Sequence, residues 1–144
     1  MPLEKEVVIM VGYPASGKST IAKTLQGYHI VNGDILKTVP KMIKDAKAHI
    51  DKQSIVFDST GGTKERRKAF IDFAKEYSLP VRVFWVQTSI DESMEWNKQR
   101  ALSGGPKIPV IAFYTYRKRF EMPHESEEFS ITAVNPENVF PVFP

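Results

Sequence analysis

The sequence predicts an α/β domain with three layers, in which helices cover both faces of a parallel β-sheet. Short runs of apolar and β-branched residues alternate along the chain with amphipathic segments. Several of these runs are apolar throughout, as is typical of parallel strands that are buried on both faces. The length of 144 residues fits one domain spanning 1–144. Strands are expected over 7–11, 30–32, 55–58, 81–86 and 129–133, and helices over 18–26, 40–51, 64–77, 91–102 and 110–120.

Capping and breaking residues place the ends of several of these elements. Thr63 is expected to cap the third helix, and Ser89 with Glu92 forms a capping box before the fourth helix. Pro80 separates the third helix from the next strand. The segment 103–106, with two glycines and a proline, breaks the chain before the fifth helix.

The composition narrows the class of protein. With 42% hydrophobic and 26% charged residues, the chain is typical of a soluble globular protein. The absence of cysteine excludes a disulfide scaffold, a cysteine-ligated zinc site and thiol catalysis. The charged N-terminal residues do not form a signal peptide, and no apolar run is long enough for a membrane helix. We therefore expect an intracellular protein, of cytoplasm or nucleus, with no membrane partner.

A phosphate-binding loop is the strongest motif of the sequence. The segment 12–19, with Gly12, Gly17, Lys18 and Ser19, matches G-x-x-x-x-G-K-[ST] between an apolar strand and a helix. Such a loop points its N–H groups at phosphate oxygens, and the helix N-terminus adds positive charge. Its lysine reaches the β- and γ-phosphates, and its serine hydroxyl can ligate Mg²⁺. The ATP-binding residues are expected to be Gly12, Ala15, Ser16, Gly17, Lys18, Ser19 and Thr20, in a three-layer P-loop NTPase fold.

A GTPase is a rival class, because 58–61 reads as D-x-x-G and 97–100 is close to the guanine-reading motif N-K-x-D. Arg100 occupies the last position of that motif, and it has no acceptor for the bonds that guanine would donate. An arginine at the start of a glycine-rich segment suits a lid over phosphates instead. A lid over about 97–109 is therefore expected, with Arg100 contacting ATP.

Two aspartates follow predicted strands at the edge of the sheet where ligands of such folds bind. Asp34 is the candidate general base for an acceptor hydroxyl, and the alternative is that it only caps the following helix. Asp58 could hold the Ser19 hydroxyl or a water bound to Mg²⁺, and the alternative is an Asx turn.

A basic stripe follows Asp34. On a helix, the lysines of 40–51 share one face, opposite the apolar residues, and Lys37 adds a charge upstream. The stripe is either a solvated face or a track for a polyanion such as nucleic acid. A second basic run covers 117–119. Its aromatic neighbours Phe113, Tyr116 and Phe120 are expected to be core contacts, and the alternative is that they are platforms for stacking bases. No role is predicted for the three histidines, which lack metal-ligand spacing.

Together these residues resemble the polynucleotide 5′-hydroxyl kinase family over nearly the whole chain. The loop 11–20 carries the aromatic residue and proline found after the first glycine in that family. The most specific part is the tail, with I-P-V at 108–110, Y-T-Y-R-K-R-F-E-M-P at 114–123 and E-F at 128–129. It is similar to the I-P-V, Y-R-K-x-F-E-x-P and G-F stretch of the eukaryotic kinase domain.

The resemblance implies roles for individual residues. V-N-G-D at 31–34 is similar to the family's N-R-D segment, so Asp34 would be the general base, and Arg100 would neutralise charge on the ATP phosphates with Lys18. The segment 65–67 is similar to a downstream arginine segment of the family. The residues expected to bind the polynucleotide are Asp34, Lys37, Lys41, Lys44 and Arg67.

Two positions depart from the family, since Gly33 replaces an arginine before the base and Gly61 replaces an asparagine. No D-x-D-x-T phosphatase motif occurs, so 3′-phosphatase activity is expected to be absent. We expect ATP-dependent phosphorylation of a polynucleotide 5′-hydroxyl, with Mg²⁺ at Ser19 and Asp58. The alternatives are a P-loop kinase of a nucleoside, sugar or antibiotic, and a nucleotide-dependent binding module. Both DNA and RNA stay open as acceptors.

Overall fold

A computed structural model describes residues 4–127 and 129–134. Its centre is a five-stranded parallel sheet with the order β2-β3-β1-β4-β5. The strands are β1 (Val7–Val11), β2 (His29–Asn32), β3 (Ile55–Asp58), β4 (Val81–Val86) and β5 (Ser130–Val134). Every residue of β1 is completely buried, because this strand is central and both of its faces are covered.

Six helices surround the sheet in the described part of the chain, and a short 3₁₀ turn covers Glu125–Glu127. The helices are α1 (Lys18–Ala22), α2 (Gly33–Leu36), α3 (Val39–His49), α4 (Lys64–Glu76), α5 (Ile90–Leu102) and α6 (Val110–Arg119). The apolar residues of α3 and α4 pack on one face of the sheet, and those of α1 pack on the other. The predicted α/β fold with a helix-flanked parallel sheet is therefore confirmed.

Alternation along β1 assigns its side chains to the two faces of the sheet. Val7, Ile9 and Val11 belong to the cluster under α3 and α4, where Phe57 stacks on Phe70 with ring centroids 4.1 Å apart. The intervening residues of β1 belong to the cluster under α1. Burying one large apolar side chain contributes roughly 1.5–3 kcal/mol, so this central strand anchors the loop that follows it.

The predicted caps of two helices are confirmed. Thr63 Oγ1 accepts a hydrogen bond from the Arg66 N–H at 3.2 Å, and Ser89 Oγ accepts one from the Glu92 N–H at 3.1 Å. Both bonds satisfy N–H groups that a helix cannot satisfy itself.

The helix expected over 18–26 is shorter, because α1 ends at Ala22. The Thr24 hydroxyl donates to the Ile21 carbonyl at 2.6 Å, and the Thr24 N–H turns to the same oxygen at 3.0 Å. Gly27 then adopts a left-handed φ of 82°, which turns the chain into β2. A hydroxyl competing with the backbone and a glycine turn explain the early end of the helix.

Helix α2 was not predicted, because it contains only four residues. Asn32 caps it, with Oδ1 accepting from the N–H groups of Asp34 at 2.9 Å and Ile35 at 3.2 Å. Helix α3 begins at Val39 and ends at His49, with Pro40 in its first turn, where a missing N–H costs little. Strand β2 begins one residue earlier than expected, and β5 is shifted by one residue toward the C-terminus.

Within residues 4–127 and 129–134, none of the helices combines the length and the apolar character needed to span a bilayer.

Candidate functional site

The phosphate-binding loop connects β1 to α1 and depends on two special backbone positions. Gly17 precedes α1 with a φ of 101°, a conformation that side chains disfavour. At Gly12, a Cβ would lie 2.8 Å from Ser16 Oγ and 3.1 Å from the Val86 carbonyl oxygen. The Gly12 N–H also donates to the Thr60 carbonyl at 3.1 Å. The two glycines of the motif therefore fix the shape of the loop.

Lys18 is buried at the start of α1, and its Nζ donates to the Tyr13 carbonyl oxygen at 2.5 Å. Burial lowers the pKa of Lys18 to about 8, while the nearby Asp58 and Asp34 carboxylates act in the opposite direction. The ammonium is held within the loop, where an anionic phosphate would strengthen its charged form.

Ser19 and Asp58 form the second feature of the site. Ser19 Oγ donates to Asp58 Oδ2 at 2.7 Å, across the junction between α1 and the end of β3. Burial raises the pKa of Asp58, and the Ser19 hydrogen bond and the Lys18 charge oppose that shift. The hydroxyl and the carboxylate are hard oxygen donors, which fit the preferences of Mg²⁺. The expected contact between the two residues is therefore present, and their role toward a metal stays a prediction.

One cleft of about 690 Å³ brings together the predicted catalytic and metal-binding residues and most of the predicted ATP-binding residues, and we call it the phosphate cleft. Side chains from five separate parts of the chain line it. Those that bear on the chemistry are Lys18, Ser19, Asp34, Asp58 and Arg100. The cleft lies where β1, β2 and β3 end, at the carboxyl edge of the sheet, which is where ligands of open α/β sheets bind.

Asp34 lies in the first turn of α2 and is exposed to solvent at the cleft. Its side chain does not cap that helix, because the cap is the Asn32 amide oxygen. The Asp34 carboxylate is close enough to act on the charges of Lys18 and Asp58. Asp34 therefore does not cap α2, and its carboxylate lies beside the phosphate loop. Its role as the general base stays a prediction.

Arg100 lies in the last turn of α5, exposed and facing the phosphate cleft. A loop follows Arg100 and leads to α6. The side chain of Asn97, which is almost completely buried, bonds to the far end of this loop. Asn97 Nδ2 donates to the Ile108 carbonyl at 2.8 Å, and Asn97 Oδ1 accepts from the Ile108 N–H at 2.9 Å. Asn97 thus ties the end of the loop at Ile108 to the body of α5 and does not read a base. About half of the expected lid is helix α5.

The structure places Arg67 differently from expectation. Its side chain is 0% exposed, and it bonds to the Glu127 carboxylate and to the Gly61 and Glu121 carbonyls at 2.8–3.1 Å. A guanidinium with these partners links α4 to the chain before β5 and has no exposed surface for a substrate. Arg67 was expected to bind the polynucleotide, and its burial contradicts that expectation. Its spacing with Phe70, Ile71 and Ala74 is the sequence signal of a core-facing position.

A second cleft of about 670 Å³ adjoins the first between α4 and α6, and we call it the side groove. Pro14, Thr60 and Ala112 line both clefts. Arg66 and Arg119 also line the side groove, although neither was predicted as a site residue. Helical phase could have identified Arg66, because it lies beside the buried face of α4 and not on it.

Tyr116 lines the side groove and belongs to a small group of packed aromatic rings. Tyr116 packs on Tyr13 with ring centroids 4.7 Å apart and on Phe120 at 5.6 Å. Phe113 is completely buried, which confirms it as a core contact. The Tyr116 hydroxyl is buried without a hydrogen-bond partner among the described residues, and burial raises its pKa. The contact between Tyr13 and Tyr116 joins the phosphate loop to α6.

In the part of the chain that the structure describes, the three lysines expected to bind the polynucleotide lie outside both clefts. Lys37 follows α2, and Lys41 and Lys44 are on α3, all exposed. Lys47 on the same face contacts Glu76 at 3.6 Å. The stripe therefore flanks the site and does not line it.

Comparison with known proteins agrees with this geometry. The sequence model of the family AAA_33, described as an AAA domain, matches residues 7–123. A bifunctional polynucleotide phosphatase/kinase of Schizosaccharomyces pombe is 42% identical over 131 residues, or 88% of this chain. A putative protein of the same name from Acanthamoeba polyphaga mimivirus is 33% identical over 136 residues, or 89% of this chain. The chain spans about a third of the length of each relative, at 32%.

Among solved structures, Chaetomium thermophilum Kti12 in complex with ADP-AlF3 has a TM-score of 0.76 at 15% identity. The match covers 90% of this chain and 88% of that one, and at this identity it shows the fold alone. The two relatives confirm the resemblance of the sequence to polynucleotide kinases. The chain therefore belongs to the AAA_33 family of AAA domains, and its sequence is similar to that of the two polynucleotide phosphatase/kinases.

Proposed function

We propose that this protein transfers the γ-phosphate of ATP to the 5′-hydroxyl end of a polynucleotide, with Mg²⁺ as the cofactor. The observation that carries the proposal is the phosphate cleft itself. It combines a phosphate loop, a buried lysine, a hydroxyl–carboxylate pair and an exposed carboxylate with a facing arginine. This is the set of groups that phosphoryl transfer to an alcohol requires, because its catalysis consists mainly of positioning and charge stabilisation.

The side chains divide the reaction between them. The Asp34 carboxylate accepts the proton of the 5′-hydroxyl while that oxygen bonds to the γ-phosphorus. The bond from the γ-phosphorus to the bridging oxygen breaks, and ADP leaves with that oxygen and the bonding electrons. Lys18 and Arg100 stabilise the negative charge that moves toward the leaving oxygen. Ser19 would hold Mg²⁺ through its hydroxyl oxygen, with Asp58 accepting a hydrogen bond from that hydroxyl or from a bound water, and the ion would supply further positive charge to the triphosphate.

The side groove supports a polymeric acceptor. It opens beside the phosphate cleft, shares three of its residues and presents Arg66 and Arg119 next to the Tyr116 ring. Arginines bind phosphates, and an aromatic ring offers a surface for a base. A nucleoside or sugar would fill the phosphate cleft alone and would leave this second cleft without a function.

The exposed lysines extend the same argument beyond the groove. Lys37, Lys41 and Lys44 follow Asp34 along the chain and lie on its side of the sheet. Charges of this kind contribute to nucleic-acid affinity through the release of counterions, without reading sequence.

Transfer to matched acceptors tests the proposal. The protein is incubated with Mg²⁺, ATP labelled in the γ-phosphate and one of three acceptors: a DNA oligonucleotide with a 5′-hydroxyl, its RNA counterpart or the corresponding 3′-mononucleotide. We expect label on at least one oligonucleotide, with kcat/KM at least about tenfold above the mononucleotide, since phosphate contacts supply much of the affinity. Robust transfer to the mononucleotide alone contradicts a polymeric acceptor.

A single-turnover experiment separates the enzyme from a binding module. With protein in excess over ATP, a kinase forms ADP and labelled oligonucleotide in equal amounts, whereas a module binds ATP without transfer. An oligonucleotide with a 3′-phosphate serves as a further control, and we expect this chain to release no inorganic phosphate from it.

A further inference from the structure

Two histidines that lie far apart in the sequence meet at the far end of α3. His29 begins β2, and His49 ends α3, where their imidazole rings stack with centroids 3.5 Å apart and planes inclined by 10°. Asp45 lies one helical turn before His49 and contacts both rings. Sequence spacing alone could not reveal this cluster, because the fold brings β2 under the helix.

Both rings contact Asp45 directly. His29 Nε2 lies 2.9 Å from Asp45 Oδ2, and His49 Nδ1 lies 2.9 Å from the Asp45 carbonyl oxygen and 3.6 Å from Oδ1. Each of the three residues offers one possible ligand atom, and these three atoms all lie within 4.8 Å of one another. Two ligands that bind one zinc ion at about 2.0–2.1 Å lie roughly 3.4 Å apart, so the separations from Asp45 are in the range for a shared ion. The stacked rings hold their lone pairs in nearly parallel planes, so binding also requires one imidazole to rotate out of the stack, and His49 is the more exposed of the two.

We propose that His29, Asp45 and His49 bind a divalent transition-metal ion such as Zn²⁺. Two neutral imidazoles and one carboxylate form a donor set that suits zinc, nickel and copper better than calcium or magnesium. The side chains are 22%, 27% and 38% exposed, in the order His29, Asp45 and His49, so an ion can enter from solvent and keep a water as fourth ligand.

Binding exchanges one set of contacts for another. In the metal-free arrangement the imidazole N–H groups donate to Asp45 oxygens, and the ion replaces these protons after each ring moves its proton to the other nitrogen. The site also lies at the C-terminal turn of α3, where the helix dipole favours a cation. A bound ion would fasten the end of α3 to β2.

The location separates this site from the phosphate cleft. None of the three residues lines the phosphate cleft or the side groove. Binding can therefore be measured without any phosphate transfer, and its failure leaves the proposed kinase activity untouched.

Titration of the chelator-treated full chain with ZnCl₂ tests the proposal. Calorimetry is run in excess Mg²⁺, so that the oxygen ligands Ser19 and Asp58 are occupied, and thermal unfolding is followed in parallel. We expect saturable binding of one ion per chain and a rise in Tm, because a ligand that binds the folded state stabilises it. Titration with Co²⁺ should give the intense visible bands of a four-coordinate ion.

Three variants decide whether these residues are the ligands. His49→Gln and His29→Gln should each weaken Zn²⁺ binding by more than about tenfold, since losing even a partner of a ligand costs that much. His124→Gln is the matched control, because this exposed histidine lies outside the cluster and should bind Zn²⁺ like the wild type. Circular dichroism checks folding, and His49→Gln alone decides the outcome if His29→Gln does not fold.

The proposal is overturned by either of two results. The first is the absence of saturable Zn²⁺ binding to the wild-type chain. The second is binding that persists at wild-type affinity in folded His49→Gln, which would move the site elsewhere.

Discussion

The phosphate cleft and the side groove have nearly equal volumes, about 690 and 670 Å³, and hold their charges in opposite ways. In the phosphate cleft, Lys18 and Asp58 are buried and already bonded to their neighbours. In the side groove, Arg66 is half-buried and Arg119 is exposed. Lys18 and Asp58 lie beside the phosphate loop, where charge develops in the transition state, whereas the arginines of the side groove lie away from that loop and mainly attract a ligand. The two clefts should therefore separate in kinetics, with kcat set by one and KM by the other.

The largest effect is expected from Lys18→Met. Loss of the ammonium should lower kcat by about 10³-fold, comparable with removal of a charge-stabilising donor at other active sites. Steady-state transfer to a 5′-hydroxyl oligonucleotide measures it. Lys23→Met, at the exposed end of the same helix, is the control and should keep nearly full activity. Equal losses in the two variants would show that burial of Lys18 confers no special role.

Asp34→Asn should reduce kcat by about 10²-fold or more, because general base catalysis contributes at least that much. ATP affinity, measured by calorimetry, should stay near that of the wild type, since the backbone of the phosphate loop is unaltered. Asp51→Asn removes another exposed aspartate, beyond α3, and serves as the control. An Asp34→Asn variant that no longer binds ATP would assign the residue to ATP binding and not to proton transfer.

The side groove predicts a different kinetic pattern. Arg66→Gln combined with Arg119→Gln should raise KM for the oligonucleotide by about tenfold, from the loss of two phosphate contacts, with kcat at saturation unchanged. Lys68→Gln changes an exposed cation of α4 that pairs with Asp72 and should have no effect. A fall in kcat without a change in KM would place these arginines in the chemistry and would erase the difference between the clefts.

The buried lysine also predicts a pH dependence. The pKa of Lys18 is lowered to about 8 in the free protein, so the side chain loses its charge as the pH rises through that value. ATP affinity should therefore fall above pH 8, by up to about tenfold for each pH unit, and ATP binding should take up a proton. Calorimetry in buffers of different ionisation enthalpy measures that uptake. Lys18→Met should lose it.

The smallest effect is expected from the basic stripe. Lys41→Gln with Lys44→Gln should raise KM a few-fold and should reduce the slope of log KM against log salt by about 1.4, at roughly 0.7 per phosphate contact on a single strand. The turnover number should not change, because both residues lie outside the clefts. An unaltered salt slope would show that the stripe is only a solvated helix face and does not contact the polynucleotide.

Local signals made much of the fold predictable from the sequence. The phosphate loop combines a strand, a fixed glycine spacing and a helix start, and the caps Thr63 and Ser89 act within one helical turn. Contacts between distant segments were not readable in this way. Helical phase along α4 places Arg67 on the core-facing side and Arg66 beside it, but it does not identify their partners. The sequence could not indicate that Arg67 pairs with Glu127, that a groove opens beside Arg66, or that His29 meets His49. Each of these depends on which helix packs on which strand, and residue spacing carries no measure of that.

The paired hydrogen bonds between Asn97 and Ile108 have a consequence for how this protein can vary. They tie the end of the loop between α5 and α6 to the body of α5. At the start of the loop, the Gly105 N–H donates to the Arg100 carbonyl at 2.9 Å, and a Cβ at Gly105 would lie 2.7 Å from Arg100 Cγ. Replacing that glycine would therefore push against Arg100. Changes in length or sequence are better tolerated at 106–107, between these two ties.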